Sequence, residues 1–407
     1  MIAVTLLLVT CRAATPHGGS AITWEVPVEI ARGGGTKGPW QQNDSNFDYV
    51  DDPSVALAAD GSPALVWVDH RDKDVHFRRG TRTVNVSRSP AIFSWLPRVA
   101  LANDHVYVIW QEIVFSGGTH GGEIFFARST DRGATFADPV NLSKSVNGDG
   151  KGRIDAKIWH NGSLDLAVAP DGTLYAAWTE YDGPLWFTRS TDAGETFAAP
   201  RQVAGTAALP ARAPSLAVAG DGTVYLAWTH GEHAAADIHV AMLHGDAFGE
   251  PVVVATTPNY SDAPKLAVDR AGTLHVVFAE TSGGPFAPPR IHYTRSRDRA
   301  KHFEPALAIS PQHAGFPALA VDGDRIFVLC EVLDDGRGRG LALATSPDGG
   351  TRFAWQPVPH SRDRGWNGSQ QGQLMNKLAV RDGRIAIVNS SLRPDESSRV
   401  WLIRGHL

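Results

Sequence analysis

The chain has 407 residues, 43% of them hydrophobic and 20% charged, with a net charge of −5. That mild acidity gives no basis for gripping nucleic acid or an anionic membrane surface, so neither partner is expected. Its 41 Gly and 26 Pro favour many tight turns over long helices, and Cys11 and Cys330 are too few for a disulfide framework or a Cys-based metal centre.

The first element in chain order is an apolar run from Ile2 to Val9, followed by small residues. It is short for a membrane span and suits the apolar part of an export or lipoprotein signal, assigned to residues 1–20 although a basic start is missing. Nothing later is apolar enough to span a bilayer. Residues 22–407 are therefore expected to form one exported, monomeric domain. TWEVPVEIA (23–31) then reads as a lone strand.

From there the chain repeats one unit: an apolar strand, an Asp/Gly turn, and a second strand often ending in Trp and an acid. The clear copies are LAVAPDGTLYAAWTE (166–180), LAVAGDGTVYLAWTH (216–230) and LAVDRAGTLHVVFAE (266–280). Looser copies start at Val55, Val99, Leu319 and Leu378. Short strands split by such turns predict antiparallel hairpins, and no segment sustains a helical period. A third strand (LWFTRS, 185–190; IHYTRS, 291–296) and a fourth (FADPVNLS, 136–143) complete a four-stranded blade. The fold class is thus all-β, a propeller of four-stranded antiparallel blades, with seven blades favoured and six the alternative. The last unit has only three strands, so the N-terminal strand is expected to pair with it and close the ring.

Between third and fourth strands stand STDRGATF (129–136), STDAGETF (190–197), SRDRAKHF (296–303) and SPDGGTRF (346–353). This octapeptide resembles the Asp box, S-x-D-x-G-x-T-F, of the sialidase superfamily and other propellers. The turn chemistry is structural: Ser and Asp bond local amides, Gly takes a left-handed conformation and Phe fills the core. Asp131, Asp192, Asp298 and Asp348 are accordingly read as structural, and their face as the one without the site.

The opposite face carries the second–third loops and the crossings between blades, and a site is expected there at the mouth of the channel. The longest crossing, KSVNGDGKGRIDAKIWHNGS (144–163), brings Trp159 and His160, with Asp165 just beyond. A second, 33–52, adds Trp40, Asn43, Asp48 and Tyr49. Long loops in a compact repeat are commonly functional. NGDGKGRID hints at a calcium loop, but its spacing departs from an EF-hand, and the Asp/His mixture in WVDHRDKDVH reads as solvent-facing. No metal or cofactor is expected.

Second strands end in Glu180, His230 and Glu280, with Tyr181 next in sequence; inner strands begin with Arg98, Arg212, Lys265 and Lys377. These sets form either rim salt bridges or a pocket for an acidic oligo- or polysaccharide. In the second case Arg98, Arg212, Lys265, Lys377 and Trp159 hold the sugar, and Asp165, His160, Glu180, Tyr181, His230 and Glu280 are the candidates for chemistry. The sialidase resemblance implies an exo-glycosidase with a Tyr nucleophile, a Glu partner, an Asp acid and an arginine cluster. The chain departs from it: LPR (96–98) is the nearest match to Arg-Ile-Pro, and no Tyr lies beyond Tyr293. Seven-bladed His/Tyr/Arg sites, as in ulvan-type polysaccharide lyases, imply the alternative of a uronate lyase. A non-catalytic glycan- or protein-binding propeller is the third reading.

Overall fold

A computed structural model describes the backbone of residues 22–114, 122–145, 151–155, 158–161, 163–232, 236–334, 337–362, 366–367 and 375–407. Side chains within 151–161, 334–339 and 366–367 lie outside that description. The described residues form seven antiparallel sheets arranged as blades, plus two short hairpins, and no helix.

Blade 1 runs Val50–Leu57, Pro63–Asp69, Asp74–Arg79 and Arg82–Asn85, and blade 2 runs Ser94–Ala102, His105–Glu112, Glu123–Ser129 and Val140–Asn141. Blade 3 is Leu164–Val168, Leu174–Thr179, Leu185–Ser190 and Arg201–Ala204. Blade 4 comprises Ala211–Val218, Val224–His230 and Asp237–His244, with Val252–Val253 outermost. Blade 5 is Tyr260–Val268, Leu274–Thr281, Arg290–Ser296 and Leu307–Ala308, and blade 6 is Ala314–Asp322, Arg325–Asp334, Arg337–Ser346 and Ala354–Pro357. Blade 7 contributes Leu378–Arg381, Arg384–Arg393 and Ser397–His406. Its fourth place is filled by the N-terminal Thr23–Trp24 and Val28–Gly33, with Thr23 opposite His406 and Val28 opposite Leu402. Seven blades and a clasp at the chain ends therefore replace the six-bladed alternative.

The octapeptides build the turns that their residue types dictate. In STDRGATF the Ser129 hydroxyl donates to Asp131 Oδ1 at 2.7 Å and accepts the Gly133 amide at 2.8 Å. Asp131 Oδ1 accepts the Thr135 amide at 2.9 Å. The same set recurs about Asp192, Asp298 and Asp348. Gly133 has φ +84°, and a Cβ there would lie 2.0 Å from Phe77 of blade 1, so the turn is pressed against its neighbour. The terminal Phe then enters the cleft between blades, Phe136 meeting Phe77 at 5.3 Å and Phe197 meeting Phe126 at 4.9 Å.

The inner strands share a feature that the repeat reading does not anticipate. Asp52, Leu96, Ala213, Ala263 and Phe316 all have positive φ, between 51 and 60°, and each precedes a proline. The ladder slips there, as between Arg212 and Ser215 or Asp262 and Lys265. A left-handed residue before Pro is unfavourable, and its recurrence as a bulge near the start of five inner strands marks the level where the channel mouth is built.

Candidate functional site

Two polar clusters occupy the end of the channel opposite the octapeptide turns. The first lies one residue past the bulges. Arg98 of blade 2 faces Asp165 of blade 3 at 4.0 Å, and both are buried. Lys265, from blade 5, feels both groups across the axis. Burial, then the Arg98 charge, pushes Lys265 down to about 8, against the pull of Asp165. Burial likewise lowers Arg98 to about 10, opposed by Asp165 and Asp52. Asp165 Oδ2 also accepts the Leu216 amide at 2.8 Å, tying blade 3 to blade 4. Lys377 makes a buried ion pair with Glu331 of blade 6. Arg98 and Lys265 thus meet over Asp165, whereas Lys377 is engaged elsewhere.

The second cluster spans blades 4 and 5. Arg212 stands 3.6 Å from Asp262, donates to the Gly231 carbonyl at 2.6 Å and donates to the Tyr260 hydroxyl. The Tyr260 hydroxyl donates to Asp262 Oδ2 at 3.0 Å, and Thr229 donates to Asp262 Oδ1 at 2.8 Å. Burial raises the Tyr260 phenol well above its ordinary value. Across the inner hairpin Ala211 pairs with His230 and Arg212 with Thr229, so the His230 side chain leaves the sheet on the face opposite Arg212, toward blade 3. His230 Nδ1 lies 3.4 Å from His239 Nδ1, with the rings nearly perpendicular. Burial lowers both imidazoles, and His239 falls to about 4 under the added influence of His230. The pair is therefore neutral at pH 7, with unprotonated ring nitrogen available as a base weaker than a free imidazole.

The remaining candidates are held by loops. Glu280 accepts Thr257 and Asn259 at 2.9 Å, and His292 is 3.5 Å away. Glu180 accepts the Trp186 indole at 3.0 Å, and Tyr181 follows it half-buried in the blade 3 turn, its phenol raised by burial and then by Asp182. Glu280 thus latches the crossing from blade 4 to the end of a second strand, whereas Glu180 ties the second and third strands of blade 3. The backbone hairpin Lys151–Asp155 and Ile158–Asn161 lies against the inner strand of blade 4. The side chains of Trp159 and His160 within it fall outside the described residues.

Sequence reasoning missed His239, Tyr260 and Asp262. A signal for Asp262 was present: it stands two residues before Pro264, as Arg212 stands before Pro214 and Asp51 before Pro53. Trp40 and Tyr49, named from the 33–52 crossing, belong to an aromatic corner over blades 1 and 2 whose other members, Trp95 and His70, that reasoning missed. There Trp40, 45% exposed, rests on Trp95 at 5.0 Å, and His70 stacks on Tyr49 while holding Asp51 at 2.7 Å. Asp69, Asp72 and His76 bring one potential ligand atom each within 4.8 Å of the others. Turn amides of Arg71 and Asp74 already occupy Asp69 and Asp72, and His76 bonds Asp72 at 2.9 Å.

No protein-family model matches the chain, and no curated protein does. Among solved structures it resembles an ulvan lyase of polysaccharide lyase family PL25, with TM-score 0.57 and 12% identity over 92% of this chain and 95% of that one. It is also similar to an alpha-L-arabinanase from Penicillium chrysogenum, with TM-score 0.51 and 15% identity over 76% of this chain and 92% of that one. A protein of unknown function from Dyadobacter fermentans gives TM-score 0.52 and 14% identity, covering 79% and 97% of the two chains. At these identities the likeness is one of fold: the chain is a seven-bladed β-propeller whose structural neighbours include carbohydrate-active propellers. Among the described residues no helix is long and apolar enough to cross a membrane.

Proposed function

We propose that this propeller cleaves an acidic polysaccharide by β-elimination at the channel mouth over blade 4. The observation that carries the reading is the neutral His230–His239 pair, 3.4 Å apart at the channel-mouth end of blade 4, with the Arg212–Tyr260–Asp262 network on the other face of the same sheet. Elimination from a uronate needs a base for the proton α to the carboxylate and positive potential near the carboxylate. His230 takes that proton, the carbon–oxygen bond at the β position breaks to leave a carbon–carbon double bond, and the imidazolium returns the proton to the departing oxygen. Positive potential comes from the buried Arg212 on the opposite face of the sheet, reduced by the Asp262 carboxylate 3.6 Å from it. Hydrolysis with two carboxylates is less well served, because Glu180, Glu280 and Asp262 are each bound by neighbouring donors.

In the same reading the octapeptides are Asp boxes, residues 1–20 form an export signal and residues 22–407 act as a monomer outside the cytoplasm. The Arg98–Asp165–Lys265 cluster shapes the floor. The fold likeness to an ulvan lyase supports the class of chemistry without fixing the sugar.

The test is incubation with uronate polysaccharides, followed by ultraviolet absorbance of unsaturated ends, with sialosides in parallel. Unsaturated product that disappears in folded His230→Asn supports the proposal. Release of free sialic acid would replace it with the hydrolase reading. Glycan binding without product would assign a binding module.

A further inference from the structure

Each blade but the first closes its lower cleft with an aromatic side chain near the start of its outer strand. Phe136 and Phe197 do so for blades 2 and 3, and Phe248 meets Phe187 at 4.9 Å between blades 3 and 4. Phe303 packs into the core shared by blades 4 and 5, and Phe353 meets Tyr293 at 4.8 Å between blades 5 and 6. Trp24, at the start of the N-terminal clasp, packs into the core between blades 6 and 7. Blade 1 instead joins its third and outer strands by the two residues Gly80 and Thr81, leaving no room for a plug.

The consequence is a groove of about 690 Å³ between blades 7 and 1. Its apolar floor includes Ile30, Leu57, Leu65 and Leu402, and Val28 stands 45% exposed at its side. Arg78 and Arg384 border it, and their described hydrogen bonds go to the carbonyls of Gly80, Ile30 and Asp60 rather than to carboxylates. The nearby Asp60 carboxylate is met by Arg79. The two carboxylates of the lining, Glu25 and Asp60, pair with Arg404 and Arg79. Apolar surface of this size beside Arg78 and Arg384 therefore fits an aromatic group carried next to an acid. Residues 1–21, which precede the clasp, contain no Phe, Trp or Tyr, so that segment cannot supply the plug.

We propose that the cleft between blades 7 and 1 is a docking groove for a partner protein, which inserts an aromatic side chain from an acidic extended segment where the other blades place their own. The groove lies on the face of the octapeptide turns, away from the channel-mouth site, so it stands apart from the proposed chemistry.

The probe is a fluorescein-labelled peptide copied from residues 245–250, Gly-Asp-Ala-Phe-Gly-Glu, the segment that carries the plug of blade 4. Fluorescence anisotropy with the full chain should show saturable binding, weakened at least about tenfold when Ala replaces Phe in the peptide. Val28→Trp, which fills the groove from an exposed position, should abolish binding and raise the melting temperature. Arg384→Glu should weaken binding at least about tenfold while circular dichroism stays unchanged. Absence of saturable binding, equal binding of the Phe-less peptide, or indifference to both folded variants would overturn the proposal. Concentration-dependent self-association that Val28→Trp removes would reassign the groove to a second copy of the chain and overturn it equally.

Discussion

Asp131 shows how much a single residue of the octapeptide decides. The Thr135 amide, then the hydroxyls of Thr135 and Ser129, hold its carboxyl at about 2, against 3.8 for a free one. Its folded value is depressed, so the stability it lends is present above about pH 4 and lost as pH falls through about 2. Urea midpoints of the native chain and of Asp131→Asn should therefore differ at neutral pH and converge between those limits. Lys265 carries the opposite sign. A buried cation lowered from 10.5 to about 8 leaves the unfolded chain binding more protons, so stability rises with pH between those values. Asp165→Asn removes the carboxylate that restrains this shift and should cost about 3–5 kcal/mol at pH 7. In that variant the rise with pH should begin below the onset seen in the native chain, as urea denaturation across the pH series will show. The lowered His230 predicts that elimination persists into mildly acid solution, its acid limb falling below the ordinary 6.5 of histidine. A limb at or above that value in the pH–rate profile would remove His230 as the base.

At the scale of elements, hairpins and octapeptide turns were legible because their chemistry is local. A DG turn between apolar runs, or Ser and Asp at fixed offsets from Gly, specifies backbone geometry wherever it stands. The bulges before Pro53, Pro97, Pro214, Pro264 and Pro317 were equally visible as letters but not as structure. A strand proline reads as an edge or a strand start, and the residue before it is expected to be extended. Only packing around the channel stabilises Leu96 and Phe316 at φ 60 and 53°. That is why Tyr260 and Asp262 escaped notice while Arg212, in the same kind of position as Asp262, was found as a charge. The plugs make a testable element. Phe136→Ala removes a ring 7% exposed and should cost about 3 kcal/mol by thermal or urea denaturation. Gly133→Ala should also destabilise, since its φ is +84° and its new methyl would meet the ring edge of Phe77, itself pinned by Phe136. Gly172→Ala provides the comparison: φ is again positive, at +89°, but nothing lies within 4 Å, so its cost is backbone strain without collision. The first substitution should therefore cost more than the second, and equality in denaturation would show that the blade contact is loose.

For the molecule as a whole, the ring is closed by strands from opposite ends of the chain. The seventh unit lacks a strand and residues 23–31 are a strand without a unit, so the clasp could be read before any coordinates. The unplugged cleft beside it could not, because absence of an aromatic after Gly80 means something only once six other clefts are seen to hold one. The clasp does three things at once. It pairs with the last strand from Thr23 opposite His406 to Gly33 opposite Ser398, it adds the exposed Arg404–Glu25 pair at 2.6 Å, and it inserts Trp24 as the plug between blades 6 and 7. The exposed ion pair is worth little beside the ladder and the buried ring. Removing residues 22–33 would leave Ser397–His406 as a long unpaired edge and reopen two clefts, one of them already unplugged. A chain beginning at Gly34 should therefore melt well below one beginning at Ile22 and should associate with itself in size-exclusion chromatography as concentration rises. Supplying the missing strand as a separate peptide, residues 22–33, should restore both properties, because the deletion removes an edge partner rather than a folding nucleus. A shortened chain that melts like its reference and stays monomeric would show that the inter-blade cores hold the ring without the clasp.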